Sequence, residues 1–416
     1  MFREFSELRH ITNFRRVILP VSVAFFIYTA GWGIASPIFS IYVESITGNL
    51  FMTGIILSLT TMMGIFLNIP VGLLENRINM KRVLQVVLLI YTTLAVLYTL
   101  ADTFVSLLLV SITRGIASSF LWLTSWAYIF SYAEKKIKGK ETGFFSDMND
   151  LASAIFPVLG GFVSLLSFFL PFYLLGLTCF TSFVVVSVFL KEIPKTQRKP
   201  MKHQTATLFK SMRNRRFAKT ILLTVTFYAL INVYYSYLSV LLFIEGVSIP
   251  LIGITLTVAL LPAVALEVPM GNAVDRFGVR KTLVPSVLAT AITAALIPLP
   301  SSIIPFASSI YFTIAVITAF TVSYTMIFIV LYSRMSDTLG ENKVAMTGAI
   351  AAFKDLGYTI GPIMAGILME FFSIRRVFLL TGVAFVLLTP IALTLHDFIL
   401  NLQLLLRLAR SSSHQV

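Results

Sequence analysis

Long apolar runs alternate with short polar breaks along the whole chain. Each run is long enough for an α-helix to cross roughly 30 Å of hydrocarbon, which takes about 20 residues. Continuous apolar runs predict helices, because the strands of a membrane barrel would alternate between apolar and polar residues. The pattern predicts an all-α membrane protein with twelve transmembrane helices, over residues 17–43, 51–73, 83–101, 104–132, 143–166, 170–190, 218–243, 249–271, 282–299, 304–331, 345–369 and 377–395.

Composition supports the membrane interpretation. Hydrophobic residues make up 57% of the 416-residue chain and charged residues 12%, with a mean hydropathy of +0.90. A soluble domain carries roughly 25% charged residues, so this chain has too little polar surface for a water-soluble globule of its size. The single cysteine, Cys179, lies in an apolar run, which excludes an intrachain disulfide.

The positive charges are distributed very unevenly. The chain has 32 Lys and Arg residues, and 28 of them fall in the N-terminal segment, the even-numbered connections and the C-terminal tail. By the positive-inside rule, both termini and these connections are cytoplasmic in a multi-pass protein of the cell membrane. The net charge of +14 is therefore a topology signal. It does not indicate nucleic-acid binding, which would need a basic face on a soluble domain.

The longest basic stretch divides the chain into two halves. Residues 191–216 are predicted to be a solvated cytoplasmic linker between an N-terminal six-helix bundle, residues 1–190, and a C-terminal one, residues 217–396. Residues 397–416 are predicted to form a cytoplasmic tail.

The two halves carry the same landmarks in the same order, which indicates an internal repeat. Such a repeat predicts two pseudo-symmetric six-helix bundles with a site between them near the middle of the bilayer. At an offset of 199 residues, Gly54, Pro70 and Gly72 recur as Gly253, Pro269 and Gly271. At an offset of 205, Thr142, Gly143, Asp150, Leu151 and Pro157 recur as Thr347, Gly348, Asp355, Leu356 and Pro362.

Two short basic motifs follow the second and eighth spans. The second copy comprises Gly271, Asp275, Arg276, Gly278, Arg280 and Lys281, and the first comprises Gly72, Asn76, Arg77, Asn79, Lys81 and Arg82. Both resemble the gating-loop signature of the major facilitator superfamily, and the resemblance extends over essentially the whole chain. The first copy has Asn79 in place of a glycine, which is a mild change because asparagine tolerates positive φ better than most residues.

The other departure, Asn76 in place of aspartate, removes a charge. The resemblance implies that this carboxylate faces a helix N-terminus of the opposite half, where the helix dipole contributes about 0.3–1 kcal/mol. The resemblance also implies that this contact keeps the cytoplasmic side closed. We therefore expect the contact to be weaker on the Asn76 side than on the Asp275 side.

Proline and small residues recur together in the fifth and eleventh spans. They allow a kink and a close approach of helices, and they resemble a motif that the superfamily's exporters carry in the fifth helix. A packing role common to any member is an equal alternative, because Ala152 and Phe156 replace motif glycines. The end of the first span, Gly33 to Glu44, resembles the first helix of the drug:proton antiporter branch. The residues of the proline and glycine motif are Pro157, Gly160 and Gly161 in the fifth span and Gly361, Pro362 and Gly366 in the eleventh.

Ionisable residues inside spans are costly and are therefore functional candidates. Asp150 and Asp355 are predicted to carry a proton or to meet a cationic substrate, and the alternative is that they form structural pairs between helices. Arg114 resembles the family's fourth-helix arginine, which is linked to proton coupling. Lys354 and Glu267 are weaker candidates, because a structural role is favoured for both, and Glu267 precedes the loop closely enough to support it.

Aromatic residues are the remaining candidates for the lining of a cavity. Trp32, Trp126, Tyr228 and Tyr234 lie on the first, fourth and seventh spans, and such rings stack on flat or cationic compounds. The alternative is ordinary packing between helices.

No phosphate-binding loop, metal-ligand spacing or catalytic set is present in the sequence. We therefore expect no enzyme activity, no metal and no cofactor. The resemblance implies a monomeric secondary transporter that works by alternating access. Its expected partners are a small organic solute, protons and the lipid bilayer, and proton-coupled efflux is the leading hypothesis. An uptake symporter or uniporter is the alternative, and a non-transporting receptor or assembly factor ranks third.

Overall fold

The computed structural model describes residues 14–74, 79–133, 137–191, 215–299, 310–338 and 343–388, and these ranges are almost entirely helical. A short π-helical turn, Phe14–Ile18, leads into α1. The helices are α1 Leu19–Thr47, α2 Leu50–Leu74, α3 Met80–Leu100, α4 Phe104–Tyr132, α5 Lys138–Val163, α6 Leu170–Phe189, α7 Arg215–Ile244, α8 Ile249–Phe277, α9 Val279–Leu296, α10 Ile310–Thr338, α11 Lys343–Phe371 and α12 374–388.

The prediction of an all-α fold with twelve helices is confirmed. Eight of the described helices, α1–α4, α6–α8 and α10, are long and apolar enough to cross a membrane by length and composition alone. Among the other four, α5 and α11 carry acidic and basic residues in their first half, which lowers their apolar content. Several residues and segments named in the sequence analysis lie outside the described residues, namely Asn76, Arg77, most of the 191–216 linker and the 397–416 tail.

The two bundles use the same packing pattern. In the N-terminal bundle, α1 packs on α5 and α6, α2 packs on α4, and α3 packs on α4 and α6. In the C-terminal bundle, α7 packs on α11, α8 on α10, and α9 on α10. Each of these C-terminal pairs has its counterpart among the N-terminal pairs six helices earlier. The fold is therefore two pseudo-symmetric six-helix bundles.

The two bundles meet mainly along two helix pairs, α2 with α11 and α5 with α8, and α1 also contacts α7 and α8. A Cβ atom added to Gly54 would collide with the Pro362 carbonyl, and one added to Gly253 would collide with the Pro157 carbonyl. These two contacts are related by the offsets of 199 and 205 residues found in the sequence. The internal repeat therefore brings equivalent residues together on both sides of the interface.

The two basic motifs have different backbones. Gly278, between α8 and α9, has φ 80° and ψ 159°. Asn79 has φ −78° and ψ 108° and caps α3, because its side chain accepts a hydrogen bond from the Arg82 N–H at 3.3 Å. The reason expected for the mild effect of this replacement, tolerance of positive φ, is wrong. Asn79 instead acts as an N-cap, which needs an extended backbone and an acceptor side chain.

Candidate functional site between the two bundles

Hydrogen bonds join the bundles along the contact between α2 and α11. The Asn68 amide donates to the Asp355 carboxylate at 2.9 Å. One turn further along α11, the Thr359 hydroxyl lies 3.0 Å from the Thr61 hydroxyl. Asp355, which was predicted as a functional residue, is therefore bonded to the opposite bundle.

The contact between α5 and α8 brings acidic residues together. Asp150 accepts a hydrogen bond from Ser146 on its own helix at 3.2 Å. Glu267, on α8 of the other bundle, interacts electrostatically with both Asp150 and Asp147. Towards the other end of this contact, Thr257 accepts a hydrogen bond from the Val158 backbone N–H at 3.0 Å. Glu267 thus faces the acidic stretch of the opposite bundle.

Two tyrosines of the C-terminal bundle lie near these carboxyl groups. The hydroxyls of Tyr235 on α7 and Tyr324 on α10 are hydrogen bonded to each other. Tyr235 lies near Asp150 and Glu267, and Tyr324 lies near Glu267. Tyr235 is 52% exposed although it lies in the middle of its helix, so its ring is accessible beside the acidic residues.

Lys354 and Asp355 are adjacent on α11, and their side chains diverge as expected from the helical rotation. While Asp355 contacts α2, the Lys354 ammonium lies 5.9 Å from the centre of the Tyr358 ring. Lys354 also interacts electrostatically with Asp355, so it adds positive charge near the α2–α11 contact.

Arg114 lies inside the N-terminal bundle, against aromatic rings of α1. Its guanidinium carbon is 4.1 Å from the centre of the Trp32 ring and 4.7 Å from that of Phe39. In the part of the chain that the structure describes, no carboxylate forms an ion pair with Arg114. The two sequence candidates Arg114 and Trp32 are therefore brought together, away from Asp150.

The other aromatic candidates lie within the bundles. Trp126 packs on Phe130 and Phe145, and Tyr228 is 2% exposed. The Tyr234 hydroxyl donates to the Ala294 and Phe378 carbonyls of the peripheral helices α9 and α12. Because Tyr234 points towards α9 and α12, its position does not fit a cavity between the bundles. Residues one apart on a helix point in directions about 100° apart, and the neighbouring Tyr235 lies on the side of the acidic residues instead.

The proline and glycine motifs lie where helices approach closely. A Cβ at Gly160 would collide with α1, and one at Gly361 would collide with α7. Gly161 meets Gly253 of α8, and Gly366 meets the first residues of α2. The backbone carbonyls of Pro157 and Pro362 make the paired glycine contacts described above.

Residues of the second basic motif lie mostly in helix. Gly271, Asp275 and Arg276 belong to the last turns of α8, which ends at Phe277, six residues past the predicted end of the span at Gly271. The reason is that nothing from Gly271 to Phe277 breaks a helix until Gly278. Asp275 and Lys281 are exposed. Arg280 lies in the first turn of α9, Gly72 in the last turn of α2, and Lys81 and Arg82 in the first turn of α3.

Sequence reasoning missed several polar residues at the interface. Asn68, Thr61 and Thr359 are neutral, so a search for charges inside spans does not find them. The signal that identifies Asn68 is the repeat itself, because the 199-residue offset aligns it with Glu267. The threonine pair has no such counterpart, since Leu260 and Ala154 occupy the equivalent positions.

Comparisons with known proteins agree with this architecture. The family model "Major Facilitator Superfamily" matches residues 21–248 and 244–398. An uncharacterised MFS-type transporter of Methanocaldococcus jannaschii is 23% identical over 253 residues, which is 60% of this chain and 66% of that protein, just under two thirds of its length.

Solved structures show the same fold at low sequence identity. The nucleoside transporter NupG aligns with a TM-score of 0.75 and 14% identity, over 91% of this chain and 98% of that one. A bacterial homologue of the human lysosomal transporter Spinster, in an inward-facing conformation, aligns with a TM-score of 0.75 and 14% identity, over 94% and 98%. The human organic anion transporter MFSD10 aligns with a TM-score of 0.66 and 15% identity, over 91% and 99%.

Proposed function

The chain belongs to the major facilitator superfamily, and from that membership we propose that it moves a small organic solute across the cell membrane by alternating access. The leading function is proton-coupled efflux of drug-like or amphipathic compounds. In this proposal the functional units are the bundles 1–190 and 217–396, joined by a cytoplasmic linker, in a monomer with both termini cytoplasmic.

The observation that carries the proposal is the set of carboxyl groups at the interface between the bundles. Asp150 and Glu267 interact electrostatically across it, and Asp355 is bonded to Asn68 across it. Burial disfavours the charged form of a carboxylate, so such groups are suited to taking up and releasing protons. Their position between two bundles couples protonation to the relative movement of the bundles.

The chemistry around these groups supports an organic solute with a positive charge. Tyr235 offers an exposed aromatic ring beside Asp150 and Glu267. Aromatic rings and carboxylates together attract cationic organic compounds. The resemblance of residues 33–44 to the drug:proton antiporter branch supports export as the direction.

Uptake of a small metabolite is the alternative function. It is supported by the similarity of the fold to a nucleoside transporter, which indicates that this architecture is compatible with a polar solute. A non-transporting receptor ranks third, because the costly charges within the spans have no evident use in it.

Flux in vesicles under an imposed pH gradient tests the proposal. We expect an organic cation to release protons from vesicles that contain the protein, and both Asp150→Asn and Asp355→Asn to lose this coupling. Asp102→Asn, at an exposed position between α3 and α4, is the matched control and should keep it. Alkalinisation driven by a solute would support the uptake function instead, and absence of flux for every solute would support the receptor.

A further inference from the structure

The two contacts between the bundles are equivalent by the internal repeat. The 199-residue offset aligns Asn68 on α2 with Glu267 on α8, and the 205-residue offset aligns Asp355 on α11 with Asp150 on α5. The same two offsets relate the glycine–proline contacts Gly54–Pro362 and Gly253–Pro157, which are both made. The Asn68–Asp355 contact therefore has a defined counterpart in Glu267 and Asp150.

Only one of these two equivalent contacts is made by a hydrogen bond between the bundles. Asn68 and Asp355 are joined at 2.9 Å. Glu267 and Asp150 interact through their charges, but no hydrogen bond joins their carboxyl groups, and Asp150 accepts from Ser146 instead.

The difference follows from the chemistry of the side chains. An asparagine amide is neutral and always offers an N–H donor, whereas an ionised carboxylate is an acceptor only. Two ionised carboxylates repel each other and cannot bond. If one of them takes up a single proton, it becomes a donor and can bond to the other. A protonated Glu267 would then donate a hydrogen bond to Asp150, as the Asn68 amide donates one to Asp355.

We propose that the contact between α5 and α8 is a proton-dependent clasp. The contact between α2 and α11 is its proton-independent counterpart, because the Asn68 amide can donate to Asp355 whether that carboxyl group is ionised or protonated. One proton from the aqueous phase enters the Glu267–Asp150 pair, the O–H of the protonated carboxyl group donates to the other carboxylate, and this end of α5 closes on α8. Loss of the proton separates the two helices, while α2 and α11 stay bonded and act as the pivot. The inference rests on the proposed function, because such a clasp matters only in a protein whose bundles move.

The groups around the pair favour this arrangement. Asp147 on α5 adds a further negative charge to Glu267. From the C-terminal bundle, the neutral Tyr235 on α7 lies near both carboxyl groups and bonds to Tyr324 on α10, which lies near Glu267. From α1, the neutral Thr29 bonds to Asn149 at 2.8 Å. Uptake of a proton removes the repulsion between the two carboxylates.

Distances between spin labels, measured without any substrate, test the clasp. The background is Cys179→Ala, because Cys179 is the single cysteine. Cysteines at Gly143 on α5 and Gly271 on α8 are suitable, since a side chain at either glycine meets open space. The reference pair is Phe66 on α2 and Ile360 on α11, which are both exposed.

We expect the Gly143–Gly271 distance to shorten between about pH 8 and about pH 5, with at least a roughly tenfold change in the ratio of long to short distances. The reference distance should stay constant. Glu267→Gln and Asp150→Asn each replace one acid by a permanent donor and should give the short distance at both pH values. A pH-independent distance in the parent, or a pH response that survives both substitutions, would overturn the proposal.

A variant that gains a pH-dependent distance provides the converse test. Asn68→Glu places a second acid opposite Asp355, so the reference distance should become pH-dependent, and a constant distance in that variant would contradict the inference. These measurements need no transport. A pH-driven closure without solute-linked proton movement in vesicles would therefore overturn the proposed function and leave the clasp standing. Proton-coupled transport without a pH-driven closure would overturn the clasp and leave the proposed function standing.

Discussion

The Tyr237 hydroxyl lies at a point where three helices meet. It is on α7, is fully buried, and lies 2.8 Å from the Leu50 carbonyl of α2 and 3.1 Å from the Pro362 carbonyl of α11. Leu50 belongs to the opposite bundle, so this one group ties the C-terminal bundle to α2. Neutral side chains, as well as the charged ones that stand out in the sequence, therefore hold the bundles together.

We expect Tyr237→Phe to lower the free energy of unfolding by about 0.5–1.5 kcal/mol, because the two carbonyls lose a shared donor without a change in packing. Thermal unfolding of the purified protein in detergent measures the effect. Tyr173→Phe, on the exposed surface of α6, is the matched control and should leave the unfolding temperature unchanged. Equal unfolding temperatures for the two variants would show that the Tyr237 hydroxyl contributes nothing.

Among the helices, α8 shows how a single residue ends an element. It continues through the basic motif to Phe277 and stops at Gly278, where φ is 80° and ψ 159°. Side chains other than glycine rarely adopt this backbone conformation, which costs of order 1–3 kcal/mol. The short connection to α9 therefore depends on Gly278.

Gly278→Ala should destabilise the protein by about 1–3 kcal/mol, since the alanine Cβ is strained at this φ. Gly271→Ala on the same helix is the control, and it should be neutral or stabilising by about 0.5–1 kcal/mol because Gly271 is helical and has open space around it. Chemical unfolding of both variants, followed by circular dichroism, compares them. A Gly278→Ala protein as stable as Gly271→Ala would contradict the strain argument.

The hydrophobic pattern was sufficient to predict the elements, because a run of about 20 apolar residues has one economical structure in a bilayer. It could not predict that α8 extends to Phe277, since polar residues beyond the bilayer are as compatible with helix as with loop. The backbone of Asn79 was missed because asparagine suits both a positive φ and an N-cap.

At the candidate site, the sequence identified the costly charges but not all of their partners. Periodicity tells which face of a helix is buried, whereas the residue that it meets on the other bundle depends on register between the bundles. The partner of Asp355 is a neutral asparagine. Asp150 bonds to Ser146 of its own helix and faces Glu267, for which the sequence alone favoured a role in supporting the loop. Only the repeat, read across both offsets together, carried information about these pairs.

At the scale of the whole molecule, the bundles meet through backbone contacts that only glycine permits. Gly54 and Gly253 face the Pro362 and Pro157 carbonyls at equivalent positions. A methyl group at either position would push the helices apart, because backbone atoms cannot move aside as a flexible side chain can.

We expect Gly253→Ala to lengthen the distance between spin labels at Leu166 of the segment after α5 and Leu251 of α8, in the Cys179→Ala background. Both label positions are exposed. Gly271→Ala, at the other end of α8, should leave the distance unchanged. An unchanged distance in Gly253→Ala would mean that this part of the interface is not closely packed in the membrane.

The orientation of the molecule in the membrane remains a prediction from charge, and it can be tested with the same cysteine-free background. Gly139, at the start of α5, lies in a stretch rich in lysine, whereas Asp102 lies in the connection between α3 and α4, which lacks basic residues. Both residues are exposed, so cysteines there should react with a thiol reagent wherever the reagent has access. By the positive-inside rule, a membrane-impermeant maleimide applied to intact cells should label Asp102→Cys and spare Gly139→Cys, and lysed cells should label both. Labelling of Gly139→Cys in intact cells would show that the topology is the opposite of the predicted one. It would also place the carboxyl groups of the α5–α8 contact nearer the outer surface, so that a proton entering the pair would come from outside the cell.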